Sequence, residues 1–142
     1  MKTFALLIIC SIAISFNACA QKAEKQKLGT AKQTKKMDLT KITNSKVKEA
    51  FNAWQKGEKE TFLSFFIAEA KLLDDGNSRD FKKFVNEACG HEHFTTIDMV
   101  ENSGKDIYGN FHTESWGNFK TYFKFHQNAD GKFDRLDIGQ TN

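Results

Sequence analysis

Val47, Ala50, Phe51 and Trp54 recur at i, i+3, i+4 and i+7, the spacing of one face of an α-helix. Asn44 or Ser45 stands where a side-chain oxygen caps the first amides, and Gly57 punctuates the end. A second apolar stretch, Phe62, Leu63, Phe65, Phe66 and Ile67, predicts a helix over 58–68. Its arc is broad enough to meet neighbours on more than one side. Residues 70–73 then read as a short strand closed by Asp74-Asp75-Gly76-Asn77, a strong turn signal. Ser78 is the expected cap of a third helix carrying Phe81, Phe84, Val85, Ala88 and Cys89, and Gly90 occupies the position of a left-handed C-cap.

After Gly90 the period changes to two. Thr95, Ile97 and Met99 alternate with polar neighbours, as do Ile107, Gly109 and Phe111, and then Phe119, Thr121, Phe123 and Phe125. Asn102-Ser103-Gly104-Lys105, Trp116-Gly117-Asn118 and Asn128-Ala129-Asp130-Gly131 supply the turns, and 133–138 closes the series. Strands joined by such short turns pair antiparallel, and an apolar sheet face needs helices over it. The pattern predicts an α+β domain of order α-α-β-α-β-β-β-β over residues 45–142.

The chain before residue 45 obeys other rules. Lys2 precedes a run from Phe4 to Phe16 of apolar and small residues, the h-region of a secretory leader and too short to span a bilayer. Two cleavage readings overlap. Ala18-Cys19 matches the end of a bacterial lipobox, which would make Cys19 a lipidated N-terminus, while Ala18-Cys19-Ala20 is also an A-x-A site. Nine lysines between Lys22 and Lys48, against only Glu24 and Asp38, give residues 21–44 the character of a basic, self-repelling linker. A lysine-rich tether favours lipidation of Cys19, and it would hold an anionic membrane surface. An export signal makes nucleic acid an improbable target for the same lysines. Met37, Leu39 and Ile42 leave open whether the end of the linker docks on the body. The expected organisation is a leader over 1–20, a linker over 21–44 and a domain over 45–142 in the bacterial cell envelope.

Composition adds few constraints. A chain of 142 residues with 14 Phe holds one domain, whose aromatic content compensates for its small core. Three cysteines cannot build a disulfide framework, and Cys89, in an apolar helical pattern, reads as core. The overall charge of +3 hides a basic arm and an acidic body.

Ala53-Trp54-Gln55-Lys56-Gly57-Glu58, the run Leu63-Ser64-Phe65-Phe66-Ile67-Ala68-Glu69-Ala70-Lys71-Leu72 and the closing Gly131-Lys132-Phe133-Asp134-Arg135-Leu136 resemble stretches of the nuclear-transport-factor-2-like or SnoaL-like superfamily. The resemblance covers 45–142 and rests on structural rather than chemical residues. It implies a curved antiparallel sheet wrapped around helices, a cystatin-like cone whose interior admits small ligands. Among members are ketosteroid isomerases, polyketide cyclases and many binding-only domains. Ketosteroid isomerase chemistry needs a carboxylate base and two oxyanion donors. By that resemblance Asp74 falls on the base position, while Ala50 and Thr121 fall where the donors would be. Losing one such donor costs about 3 kcal/mol, so losing two argues against isomerisation.

The expected pocket is therefore a binding one, lined by Phe51, Trp54, Ile97, Phe111, Phe119, Thr121 and Phe123, with Asp74 as its polar anchor. Asp74 is equally a turn former, or a general base if the domain is a SnoaL-like enzyme. His91-Glu92-His93 sets two imidazoles on one side of a strand, and Cys89, His112 and His126 are further metal-ligand types. Nothing in the spacing gathers them, so no metal is expected, and no motif calls for a cofactor. Ser103-Gly104-Lys105 lacks the glycines of a phosphate-binding loop. Tyr108, His112 and Tyr122, with His126, fall on the sheet face opposite Phe119 and Phe123, a candidate surface for a homodimer or simply an amphipathic outer face.

Overall fold

The computed structural model describes residues 37–141; the leader, Cys19 and most of the lysine-rich linker lie outside the described residues. Helix α1 spans Ser45–Lys56, α2 Lys59–Ser64 and α3 Phe81–Ala88. The strands are β1 Phe66–Asp74, β2 Asn77–Arg79, β3 His93–Phe94, β4 Met99–Glu101, β5 Asp106–Thr113, β6 Gly117–Gln127 and β7 Phe133–Gln140. They form one open, mixed sheet in the order β2-β1-β7-β6-β5-β3, with β4 also on β5. All neighbours are antiparallel except β1 and β7, which run parallel.

Asn44 caps α1, its Oδ1 accepting the Val47 amide at 3.1 Å. Gly57 ends the helix at φ 72°, and a Cβ there would stand 2.9 Å from the Cα of Gly90. Only a side chain of hydrogen lets these two helix ends meet. The cap of α3 is Asp80, whose Oδ1 takes the Lys83 amide at 2.9 Å. Ser78, the cap expected from sequence, is paired with Leu73 in β2. Residues 37–44 are not bare linker: Leu39–Lys41 forms a turn of 3-10 helix and Ile42 is completely buried.

Two elements differ from the periodicity. The second helix stops at Ser64 because Phe66 is already in register with Phe133, and the Phe133 amide donates to the Phe65 carbonyl at 3.0 Å. A parallel ladder overrides helix propensity there. The strand expected over 95–100 is split into β3 and β4. At the break the amides of Thr95 and Thr96 both point to the Asn110 carbonyl, a bulged arrangement that displaces residues 95–98 from regular pairing.

The three helices cover the inner face of the sheet. On β5 this face carries Ile107, Gly109, Phe111 and Thr113, each buried, while the alternate residues are half-exposed. Trp54 sits at its centre, stacked on Phe84 with ring centroids 5.5 Å apart and edge-on to Phe62 at 5.2 Å and Phe123 at 5.3 Å. One residue thus joins α1, α2, α3 and β6.

Candidate ligand pocket

At the end of the core marked by Phe84 and Phe123, the inner face is not filled. A cavity of about 320 Å³ remains between α3, the β1–β2 turn and the inner faces of β5, β6 and β7. Its floor is apolar: Phe84 and Ala88 from α3, Phe111 from β5, Phe119 and Phe123 from β6, and Ile138 from β7. The period-two pattern places those strand residues on one face, and α3 brings its own two from above.

The two threonines in the wall are committed to the backbone. Thr121 Oγ1 donates to the Gly139 carbonyl at 2.6 Å, and Thr113 Oγ1 accepts the Trp116 amide at 2.9 Å. The Trp116 indole stands on the rim and is 77% exposed. Charged groups also border the cavity. Asp74, at the end of β1, pairs with Arg79 of β2 at 2.5 Å, and the Arg79 guanidinium lies over the Phe84 ring at 5.0 Å. Asp75 Oδ1 accepts the Gln140 amide at 3.0 Å. Glu87 and Glu92 complete the charged lining.

Glu92 is the distinctive group. It follows the left-handed Gly90, and its amide donates to the Ala88 carbonyl at 2.8 Å, which turns the chain back over α3. The half-buried carboxylate makes no hydrogen bond or ion pair among the described residues. Burial raises its pKa above the ordinary 4.5; Arg79 and His91 pull it down, and Asp74 pushes it up. A raised carboxyl pKa means that the folded state holds the proton more tightly than the unfolded chain. Glu92 therefore lowers stability while ionised, and that penalty disappears as pH falls through its titration toward the ordinary value. Glu92→Gln is expected to melt above wild type at about pH 7.5, with the gap closing near about pH 4. Melting curves of the two proteins across that range check this, and a gap independent of pH contradicts it.

Of the residues expected to line the pocket, Asp74, Phe111, Phe119, Thr121 and Phe123 border this cavity; Phe51, Trp54 and Ile97 do not. Phe51 and Trp54 are 0% exposed and Ile97 5%. Phe51 packs on Phe94 at 5.0 Å, and Trp54 lies one layer beneath, behind Phe84 and Phe123. Their helix is too close to the sheet to leave a gap. Arg79, Glu87, Glu92 and Trp116 were not anticipated. Arg79 and Glu92 follow tight turns, whose geometry decides which way a polar side chain faces and leaves no periodic signal.

The other candidate chemistry disperses. Cys89 is fully buried, its Sγ 3.8 Å from the Trp54 carbonyl, and burial raises its thiol pKa, the opposite of an activated nucleophile. The His93 and His112 rings lie 5.5 Å apart on the outer face, but no group of three metal-ligating side chains converges among the described residues. Ala50 is buried in the core, and Asp74 is engaged by Arg79. Tyr108 and Tyr122 lie side by side on the outer face, with Lys124 Nζ over the two rings at 5.6 and 4.7 Å.

No family model matches the sequence, and no curated protein matches it. Solved structures do resemble the fold. An NTF2-like protein of unknown function from Cytophaga hutchinsonii aligns with a TM-score of 0.56 at 11% identity, over 70% of this chain and 89% of that one. A putative ketosteroid isomerase from Kribbella flavida aligns at 0.56 and 13% identity, over 71% and 78%. The orange carotenoid protein of Anabaena (Nostoc), solved binding canthaxanthin, aligns at 0.56 and 17% identity; the match covers 68% of this chain and 35% of that protein. Element order, open mixed sheet and these alignments agree: residues 37–141 adopt the α+β fold of nuclear-transport-factor-2-like proteins.

Proposed function

We propose that this domain is an exported, Cys19-lipidated binding module whose cavity takes a small apolar or amphiphilic molecule without transforming it. The observation that supports the reading is the lining itself. Six apolar residues form the floor, and the hydroxyls of both wall threonines are engaged by backbone. Such a pocket offers burial and shape; of the carboxylates at its edge, Asp74 is paired with Arg79 and one Asp75 oxygen accepts the Gln140 amide. Its volume is at the lower end of the roughly 300–1,000 Å³ typical of small-molecule sites. That suits a one- or two-ring body. The orange carotenoid protein, solved binding canthaxanthin, and a putative ketosteroid isomerase share the fold, which supports an apolar ligand here. Native mass spectrometry of protein isolated from its own host, with intact mass of the mature N-terminus, tests both halves. A bound small molecule and an acylated Cys19 are expected; an empty cavity and a chain beginning at Gln21 would oppose them.

The second reading is a SnoaL-like isomerase, cyclase or dehydratase with Asp74 as general base. The carboxylate's position in the cavity favours it. Against it, Arg79 Nη1 donates to Asp74 Oδ2 at 2.5 Å and occupies an oxygen that a general base would need free. Asp74→Asn is expected to leave any turnover of ketosteroid or polyketide-type substrates unchanged, and a fall of about a hundredfold or more would reverse the order of the two readings.

A further inference from the structure

The head group of the ligand follows from the distribution of charge around the cavity. Four carboxylates border it, those of Asp74, Asp75, Glu87 and Glu92, against one cation, Arg79. Arg79 is spent on Asp74, and one Asp75 oxygen is held by the Gln140 amide. Glu87 sits 4.0 Å from Lys83 in an exposed pair, which solvent screens. Glu92 alone is half-buried and unpartnered among the described residues, in a cavity whose lining also includes the apolar floor and the exposed Trp116 indole. An unpaired carboxylate at the edge of an apolar cavity repels anions and offers a neutral hydroxyl a hydrogen bond without a counter-charge. For a cation it supplies both a counter-charge and a hydrogen-bond acceptor.

We propose that the cavity selects a protonated amphiphilic amine, its ring or chain body on the phenylalanine floor and its ammonium against Glu92. The inference rests on the reading of this cavity as a ligand site and adds the charge of the ligand to it. Nothing covalent follows; the site discriminates by charge.

The experiment uses the full chain and three probes with one aromatic body: naphthylethylamine, naphthylethanol and naphthylpropionate. Calorimetric titration near neutral pH is expected to rank them in that order, with at least about a tenfold gap between amine and alcohol. Glu92→Gln is expected to bring the amine close to the alcohol, with the amine losing several-fold more affinity than the alcohol. Glu101→Gln, on β4 and away from the cavity, serves as the charge control and should move none of them. An alcohol that binds as tightly as the amine overturns the charge assignment, as does a carboxylate that binds more tightly or an amine indifferent to Glu92→Gln. In any of those cases, a loss of about tenfold or more in affinity in Phe119→Trp, which narrows the cavity, would show that the cavity reading survives. If none of the three probes binds the wild-type chain, the cavity reading fails and the charge inference with it.

Discussion

Trp54→Ala is expected to destabilise the domain by about 3–5 kcal/mol, the usual range for truncating a buried large aromatic. Four elements meet on that ring: α1 through its own backbone, α2 through Phe62, α3 through Phe84 and β6 through Phe123. The void left behind cannot collapse, because each neighbour is held by a different element. For a domain of this size the melting midpoint should fall by roughly 15–30 °C, a large share of a typical total stability. The companion substitution separates volume from polarity. Trp54 Nε1 is buried and has no hydrogen-bond partner among the described residues. Trp54→Phe removes that unsatisfied donor, whose burial costs about 1–3 kcal/mol, while giving up part of the ring. The two effects oppose, so Phe should stay within about 1.5 kcal/mol of wild type. Chemical denaturation of the three proteins measures this. Similar losses for Ala and Phe would mean that the indole N–H is satisfied and that the ring's volume is not what matters.

The same tryptophan shows how far the sequence could be read. Its helical spacing with Val47, Ala50 and Phe51 locates α1, and the alternation from Ile107 to Phe125 locates the inner sheet face. Those signals are periodic, and periodicity survives without knowledge of partners. What it cannot supply is depth. Trp54 and Phe123 are both apolar and inward, yet Phe123 borders the cavity and Trp54 lies behind it. The difference is set by how closely α1 approaches β6, a tertiary distance without a local signature.

The parallel pairing of β1 with β7 was illegible for a related reason. Phe66 and Phe133 are 67 positions apart, and no short turn joins their strands, so nothing local announces the pairing. The acidic lining of the pocket has the same origin. Asp74 was visible as a turn residue before Asp75-Gly76, and the turn indeed places Asp75 at φ 46° and Gly76 at φ 82°. That the turn carries Asp74 into the same cavity as Glu92 depends on where α3 ends. Gly57 and Gly90 fix that point by touching each other, and two isolated glycines in a sequence do not declare such a contact.

Gly109→Ala is the second substitution with a large expected effect. In sequence Gly109 is one more inward position between Ile107 and Phe111, where a larger side chain would be the natural choice. A Cβ there would stand 1.9 Å from the Thr96 carbonyl oxygen and 3.2 Å from the Phe94 ring. The nearer atom belongs to backbone and cannot rotate aside. To make room, residues 95–98 must lift from β5, and several interactions go with them. Thr96 Oγ1 accepts hydrogen bonds from both nitrogens of Asn110 at 3.1 and 2.9 Å, and the Asp98 amide donates to the Tyr108 carbonyl at 2.8 Å. Ile97, buried beneath the bulge, loses its seat. Overpacking of a rigid core usually costs about 1–3 kcal/mol; with two or more hydrogen bonds strained as well, the upper end or beyond is expected. The damage should also be local. Hydrogen exchange at the Thr95, Thr96 and Asp98 amides should accelerate far more than at the β6–β7 pairs, where the ladder from Thr121 to Phe125 is untouched. A stability change under about 0.5 kcal/mol would mean that the bulge does not rest on this glycine. The close fit of residues 95–98 over β5 would then be no reason for the split between β3 and β4.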